Sequence, residues 1–319
     1  MRFQHLLVTG GAGFIGSHLV HLLAAERPEV RVTVLDKLTY AGKRENLEPL
    51  LGEGRIGLIV GDIADPHAVH RALDGCDGIV NLAAETHVDR SLSDATPFVR
   101  TNVLGTQVLL DAARAEGITR FLHVSTDEVY GDLKTDDPPS RESDPFRPSS
   151  PYSASKAAAE HLVHAYHVSY GLDTVITRGS NSYGPRQYPE KVIPLFTANA
   201  LAGRPLPIYG SGCAVRDYLH AEDHARGILA VLEQGEAGHA YNLGAGLQVD
   251  GNELARRILE LTGRPASLAQ PVDDRPGHDY RYSLDSSRAN ALGWRPRWAF
   301  EHGLAATVQW YREQQEVSA

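Results

Sequence analysis

The sequence predicts a doubly wound α/β fold, a parallel sheet with helices on both faces. Three observations carry this expectation. Short apolar runs with strand character alternate with stretches of helical spacing through the first half of the chain. A glycine-rich turn joins the first strand-like run to the first helical stretch. Further glycines, at Gly61, Gly75 and Gly117, punctuate later elements as turns or helix ends.

The strand-like runs fall at 5–9, 32–35, 56–60, 78–82 and 120–125, and the helical stretches at 16–25, 68–73 and 97–116. A loop is expected over 136–151, because Pro138, Pro139, Pro145, Pro148 and Pro151 suit neither a helix interior nor a central strand. A long helix follows over 152–170, ended by Gly171, and 174–178 reads as another buried strand. Beyond Asn181 the chain is richer in Pro and Gly, and only short elements are expected, including a strand at 240–244 and a helix at 252–262. No internal repeat, low-complexity tract or clean linker divides the chain. Two lobes that exchange segments fit better than two independent units.

Composition narrows the classes of function. The 319 residues carry 42% apolar and 22% charged side chains, ordinary for a globular protein. A net charge of −9 argues against nucleic acid as the main partner, since phosphate backbones call for a basic field. No apolar run reaches membrane-spanning length, so no membrane partner is expected. The start runs directly into a strand and shows no signal-peptide pattern, which points to a cytoplasmic protein. Cys76 and Cys213 are the only cysteines, and no metal-ligand spacing is present.

Gly10, Gly13 and Gly16 are spaced G-x-x-G-x-x-G between a strand and a helix. Gly10 permits the tight turn, Gly13 lets the backbone approach a pyrophosphate, and Gly16 lets helix and strand pack closely. Asp36 ends the second strand, where a carboxylate accepts from a ribose 2′-hydroxyl and repels a 2′-phosphate, favouring NAD over NADP. The adjacent Lys37 softens that preference. Asp62, after the third strand, either reaches the adenine edge or forms a turn. The expected organisation is a Rossmann-type NAD-binding domain over 1–180, with a returning segment around 220–246. A smaller, discontinuous substrate lobe is made mainly of 181–319.

Tyr152 and Lys156 open the long helix four residues apart, so they share a face. A nearby ammonium stabilises a phenolate and lowers the phenol pKa from about 10, making it a usable base. Upstream, Thr126, Asp127 and Glu128 follow the fifth strand at its C-terminal edge, where doubly wound sheets bind ligands. Adjacent carboxylates can have their pKa values pushed apart, leaving one as acid and the other as base. Two solvated loop residues are the plainer alternative.

These segments resemble the extended short-chain dehydrogenases/reductases and, more narrowly, the dTDP-glucose 4,6-dehydratases. The likeness covers nearly the whole chain, through Gly10–Ser17, Asp36–Gly42, Ala83–Ser91, Ser125–Gly131, Tyr152–Lys156, Asn181–Pro185, Pro189–Pro194, Pro207–Gly210, Val215–Tyr218 and Asp274–Asp279. The resemblance implies tightly bound NAD, held by Gly10, Gly13, Phe14, Ile15, Gly16, Asp36, Lys37, Leu38, Thr39, Gly42, Asp62, Ile63, Leu82, Ala83, Ala84, Thr101, Val124, Tyr152 and Lys156. It implies that dTDP-glucose is the substrate, held by Thr86, Thr126, Asn181, Glu190, Lys191, Pro207, Ile208, Tyr209, Arg216, Asn252, Arg275 and His278. In the reaction so implied, Tyr152 takes the proton of the 4-hydroxyl as C4 is oxidised, and Lys156 contacts the nicotinamide ribose. Glu128 removes the C5 proton, Asp127 protonates the departing 6-hydroxyl, and Thr126 binds the 4-oxygen. A homodimer through two helices per subunit is implied as well. The rival readings are a 4-epimerase or decarboxylase of the same superfamily, or a non-catalytic NAD-binding protein. The Thr-Asp-Glu segment and the run from Asp274 to Asp279 favour the dehydratase.

Overall fold

The computed structural model describes residues 3–274 and 277–318. Among them are the strands β1 (His5–Thr9), β2 (Arg31–Asp36), β3 (Ile56–Val60), β4 (Gly78–Asn81), β5 (Arg120–Thr126), β6 (Thr174–Gly179) and β7 (Asn181–Tyr183). The later strands are β8 (Leu206–Tyr209), β9 (Val215–Arg216), β10 (Tyr218–His220), β11 (Ala240–Leu243), β12 (Val249–Asp250) and β13 (Ala269–Val272). A seven-stranded sheet has the order β11-β6-β5-β4-β1-β2-β3, with every neighbouring pair parallel. Its central strands are buried along their length, β1, β4, β5 and β6 throughout. That burial explains why they read as near-continuous apolar runs.

Helices Phe14–Glu26 and Ala221–Gln234 cover one face through Leu19, Leu23, Ile228 and Leu232. Helices Pro66–Leu73, Thr106–Ala115 and Pro151–Tyr170 cover the other through Val69, Leu109, Leu110 and Val163. The helical stretch expected over 97–116 is present, but its middle, Val99–Gly105, is π-helical. Pro151, read as part of the loop, instead occupies the first position of the long helix, where its missing N–H costs nothing. Ser150 caps that helix in a reciprocal box with Ser153, and Gly171 ends it at φ 69°.

The second half corrects one expectation. It contains helices of ten, fourteen and nineteen residues, Val192–Leu201, Ala221–Gln234 and Phe300–Ser318. Pro and Gly are concentrated between these helices rather than within them, so composition averaged over the half concealed them. Phe196, Ile208, Leu254, Ile258, Phe300 and Leu304, all from the second half of the chain, form a further core cluster apart from the two that flank the sheet. The pair β8–β13 is parallel and β9–β12 antiparallel.

Candidate active site

The glycine turn sits where β1 passes into helix Phe14–Glu26. Gly10 has φ 68°, and a Cβ there would meet the Ala83 backbone nitrogen at 2.7 Å. A Cβ on Gly16 would collide with the Gly10 carbonyl oxygen. No side chain caps the helix start, and Phe14, Ile15 and Gly16 line a cavity of about 300 Å³. Uncapped first-turn N–H groups facing a cavity are suited to an anion such as a pyrophosphate.

The cavity runs along the C-terminal edges of the sheet. Its wall also includes Gly10, Gly13, Asp36, Lys37, Thr39, Gly42, Asp62, Ile63, Leu82, Ala83, Ala84, Thr101, Val124, Tyr152 and Lys156. Leu38 is not on that wall; it packs against the hydrophobic core with φ 51°. Asp36 is 8% exposed and accepts from Ala12 N at 2.9 Å and Leu38 N at 2.9 Å. Lys37 Nζ bonds Asp62 Oδ2 at 2.9 Å. Burial would raise the Asp62 pKa, but the Ala64 N–H, Lys37 and Arg100 together hold it below the usual range. Ser125 Oγ, Asp127 Oδ2, Asn181 Oδ1, Gln187 Oε1 and His224 Nε2 are buried polar atoms with no partner among the described residues, and all five residues line this cavity. A polar ligand spanning the wall fits that set.

At the end of β5, Thr126, Asp127 and Glu128 reach the cavity together, as does Tyr152 from the long helix. Thr126 begins a short helical turn, accepting from Glu128 N at 3.3 Å and donating to Asp127 Oδ1 at 3.1 Å. Asp127 is 3% exposed. Burial first, and the Glu128 carboxylate second, push its pKa well above the usual carboxylate range. Two neighbouring carboxylates thus sit in different surroundings, one deeply buried and one half-buried.

Lys156 corrects a second expectation. Its Nζ donates to Val124 O at 2.7 Å and faces His123 Nε2 at 3.4 Å. Burial lowers its pKa to about 8, with Glu160 opposing. The Tyr152 phenol pKa is raised, not lowered: burial dominates, Glu128 adds to it, and the neighbouring Thr126 hydroxyl opposes both. The shared helix face is real, but here the ammonium is tied to the β5 backbone, and the phenol is governed by its burial and by Glu128.

A second cavity adjoins the first, with Thr86, Glu128, Asn181, Glu190 and Lys191 lining both. Pro207, Ile208, Tyr209, Arg216 and His278 line its far end. Arg216 directs its Nη groups to the carbonyls of Val215, Asp279 and Tyr280, at 2.8, 2.8 and 3.2 Å. His278 Nδ1 pairs with Asp274 Oδ1 at 2.7 Å. Asn252 is absent from the lining; its Nδ2 donates to Ser211 O at 2.9 Å instead. Arg275 lies outside the described residues. The sequence reading missed Tyr282, which is 4% exposed, lies within the electrostatic reach of Glu128, and donates to Asp279 Oδ2. It also missed Asp217, whose pKa burial raises to about 6 despite bonds from the backbone N–H groups of Leu247 and Gly246. The run from Asp274 to Asp279 was a signal for the first of these, because it leads directly to Tyr282.

Residues 7–307 match the family described as GDP-mannose 4,6 dehydratase. A dTDP-glucose 4,6-dehydratase of Actinoplanes sp. is 50% identical over 313 residues, 96% of this chain and 97% of the relative. The chain belongs to the dTDP-glucose 4,6-dehydratase family. The solved structure of the family member DesIV from Streptomyces venezuelae, with NAD and a thymidine nucleotide bound, superposes at a TM-score of 0.95 with 51% identity. That match covers 98% of each chain. A UDP-glucose 4-epimerase from Thermus thermophilus, in complex with NAD, superposes at 0.89 with 35% identity, covering 97% of this chain and 99% of the epimerase. The dehydratase and epimerase structures therefore share the scaffold, and the chemistry turns on individual side chains.

Proposed function

We infer that the protein is an NAD-dependent hydro-lyase that converts dTDP-glucose to dTDP-4-keto-6-deoxyglucose. The observation that carries this reading is the pair at the end of β5. Asp127 is buried with its pKa raised, Glu128 is half-buried beside it, and Tyr152 lines the same wall. Water elimination next to a ketone needs one group to take a proton and a neighbour to give one. An epimerisation at C4 needs neither.

The chain's residues divide the work as follows. Gly10, Gly13 and the uncapped helix start would hold the pyrophosphate of the dinucleotide, and Asp36 would receive its adenosine ribose. Bound NAD supplies the hydride acceptor for C4 and the hydride donor for C6. The positive charge of oxidised NAD would offset the burial that raises the Tyr152 pKa, so that its phenolate takes the proton of the 4-hydroxyl, helped by Thr126, and Lys156 would hold the nicotinamide ribose. The 4-ketone acidifies the C5 hydrogen. Glu128 removes that proton, Asp127 protonates the 6-hydroxyl, water departs, and Glu128 gives a proton back to C5 when C6 receives its hydride. Asn181, Glu190, Lys191, Arg216 and His278 line the space for the sugar nucleotide, with Tyr209 at its far end. Incubation with dTDP-glucose should yield a product lighter by one water. A product altered only at C4, with its mass unchanged, would refute the reading in favour of an epimerase.

The proposal extends to a homodimer. Val99 and Leu104 on the helical stretch before Ala115, and Val168 and Tyr170 on the long helix, expose 54, 41, 68 and 54% of their surface. The two stretches pack against each other, so these residues belong to neighbouring helices. A cytoplasmic location is supported by the two cysteines, Cys76 and Cys213, both free.

A further inference from the structure

Two loops meet at the surface edge of the first cavity. One follows β2 and brings Thr39, Ala41 and Gly42 to the wall; the other follows β7 and brings Tyr188 and Glu190. Tyr40 and Tyr188 meet edge-on between them, with ring centroids 5.1 Å apart at 79°. The Arg90 guanidinium lies 4.0 Å from the centre of the Tyr40 ring and donates to Glu190 Oε2 at 3.1 Å. His87 Nε2 stands 3.3 Å from the same oxygen, and the Tyr40 hydroxyl faces that carboxylate. Lys43 Nζ sits 6.0 Å from the Tyr188 ring centre. The loop after β2 is pinned at its base, where Lys43 N and Asn46 Nδ2 both donate to Ala12 O within the glycine turn.

Segments that follow β2, β4 and β7 therefore converge on one bridge. Tyr40 and Tyr188 are half-buried, and the Arg90 side chain is 50% exposed, so the bridge lies on the outside of the cavity rather than in its floor. The reaction inferred above takes a hydride from C4 and returns it to C6, so it fails whenever the reduced cofactor departs before the return. The glycine turn and Asp36 would hold the dinucleotide from the cavity wall, and the bridge stands at the outer edge of that cavity.

We propose that Tyr40, Tyr188 and Arg90 form a strap across the cofactor cavity that sets how long NAD stays bound. This rests on the NAD-dependent reading of the site. The three side chains are positioning residues, since they hold two loops together and act on the cofactor through them. An aromatic pair and a cation–π contact together are of the size that changes a lifetime on the order of tenfold.

The test compares wild type, Tyr40→Ala, Arg90→Ala and Tyr40→Phe, each purified in the same way. The nucleotide released per chain on acid denaturation is measured, along with the half-time of NAD loss after dilution into NAD-free buffer. Wild type should retain NAD, and the two alanine variants should lose it roughly tenfold faster. Tyr40→Phe, which keeps both ring contacts, should behave like wild type. Excess NAD should restore turnover of Tyr40→Ala, which a misfolded protein would not allow. Equal retention in wild type and Tyr40→Ala overturns the strap, as does a loss that excess NAD fails to rescue. A wild-type protein that binds no NAD overturns the underlying reading and the strap with it.

Discussion

Asp127→Asn removes an acidic proton from the site while leaving its shape and charge nearly unchanged. Asp127 is 3% exposed, and burial and Glu128 favour its neutral form. Its Oδ1 accepts from Thr126 Oγ1 at 3.1 Å, a bond that a carboxamide oxygen keeps. Folding stability should therefore change by no more than about 1 kcal/mol, since no charge is lost and no cavity opens. Catalysis should change far more. A positioned general acid contributes about 10²–10⁴ in rate, or about 3–5 kcal/mol of barrier, and Asn has no proton to supply. Rapid mixing with dTDP-glucose, followed by near-ultraviolet absorbance, reports the reduced cofactor, and mass spectrometry reports loss of water. The variant should accumulate reduced cofactor at close to the wild-type rate and then dehydrate slowly. In deuterated solvent it should still exchange the C5 hydrogen, whereas Glu128→Gln should not. Unchanged turnover would remove Asp127 from the elimination. Cofactor reduction slowed as much as dehydration would move Asp127 to the oxidation step.

Tyr152→Phe should abolish reduction of bound NAD by dTDP-glucose while NAD binding, measured by calorimetry, persists through the glycine turn. Glu160→Gln should destabilise the fold by about 3–5 kcal/mol in urea titration, because it removes the carboxylate bonded at 2.7 Å to Arg178, whose side chain is 6% exposed and otherwise donates to the neutral acceptors Tyr130 Oη and Glu142 O. His18 and His224 set an acid limit. Burial, then Arg186, holds His18 at about 3, and burial holds His224 at about 4, both below the ordinary value of 6.5. The unfolded chain takes up protons first, so the stability is complete above pH 6.5 and lost as the pH falls towards those values. Each histidine contributes a slope of up to about 1.4 kcal/mol per pH unit. His18→Gln, which can still donate to Pro185 O, should flatten that decline, and an unaltered slope would rule His18 out as its source.

What the sequence disclosed followed from local spacing. The runs that became β1, β4, β5 and β6 are apolar because both faces of the sheet are covered there, and the glycine turn is legible because each glycine answers a steric demand at its own position. Tyr152 and Lys156 share a helix face by periodicity alone. Spacing did not reveal where Lys156 points, since Val124 and His123 lie far from it in sequence. Tyr282 was hidden for the same reason: it lies within the electrostatic reach of Glu128 although the two are far apart in sequence. Leu38 sits in a segment of cavity residues yet turns into the core at a positive φ, and Asn252 bonds a neighbouring loop instead of facing the cavity. Neither departure leaves a mark in local pattern.

The pairing of β11 with β6 carries a consequence for how the chain matures. During synthesis β6 emerges with a bare edge, and the strand that covers it, Ala240–Leu243, arrives only after β7 to β10 and the helices Val192–Leu201 and Ala221–Gln234 have been made. Until then an apolar strand offers unpaired N–H and C=O groups to any other chain nearby. A ribosome stalled between residues 180 and 240 would leave a nascent protein prone to aggregation. A fragment ended at residue 180 should share that fate, and co-expressing residues 181–319 should rescue it.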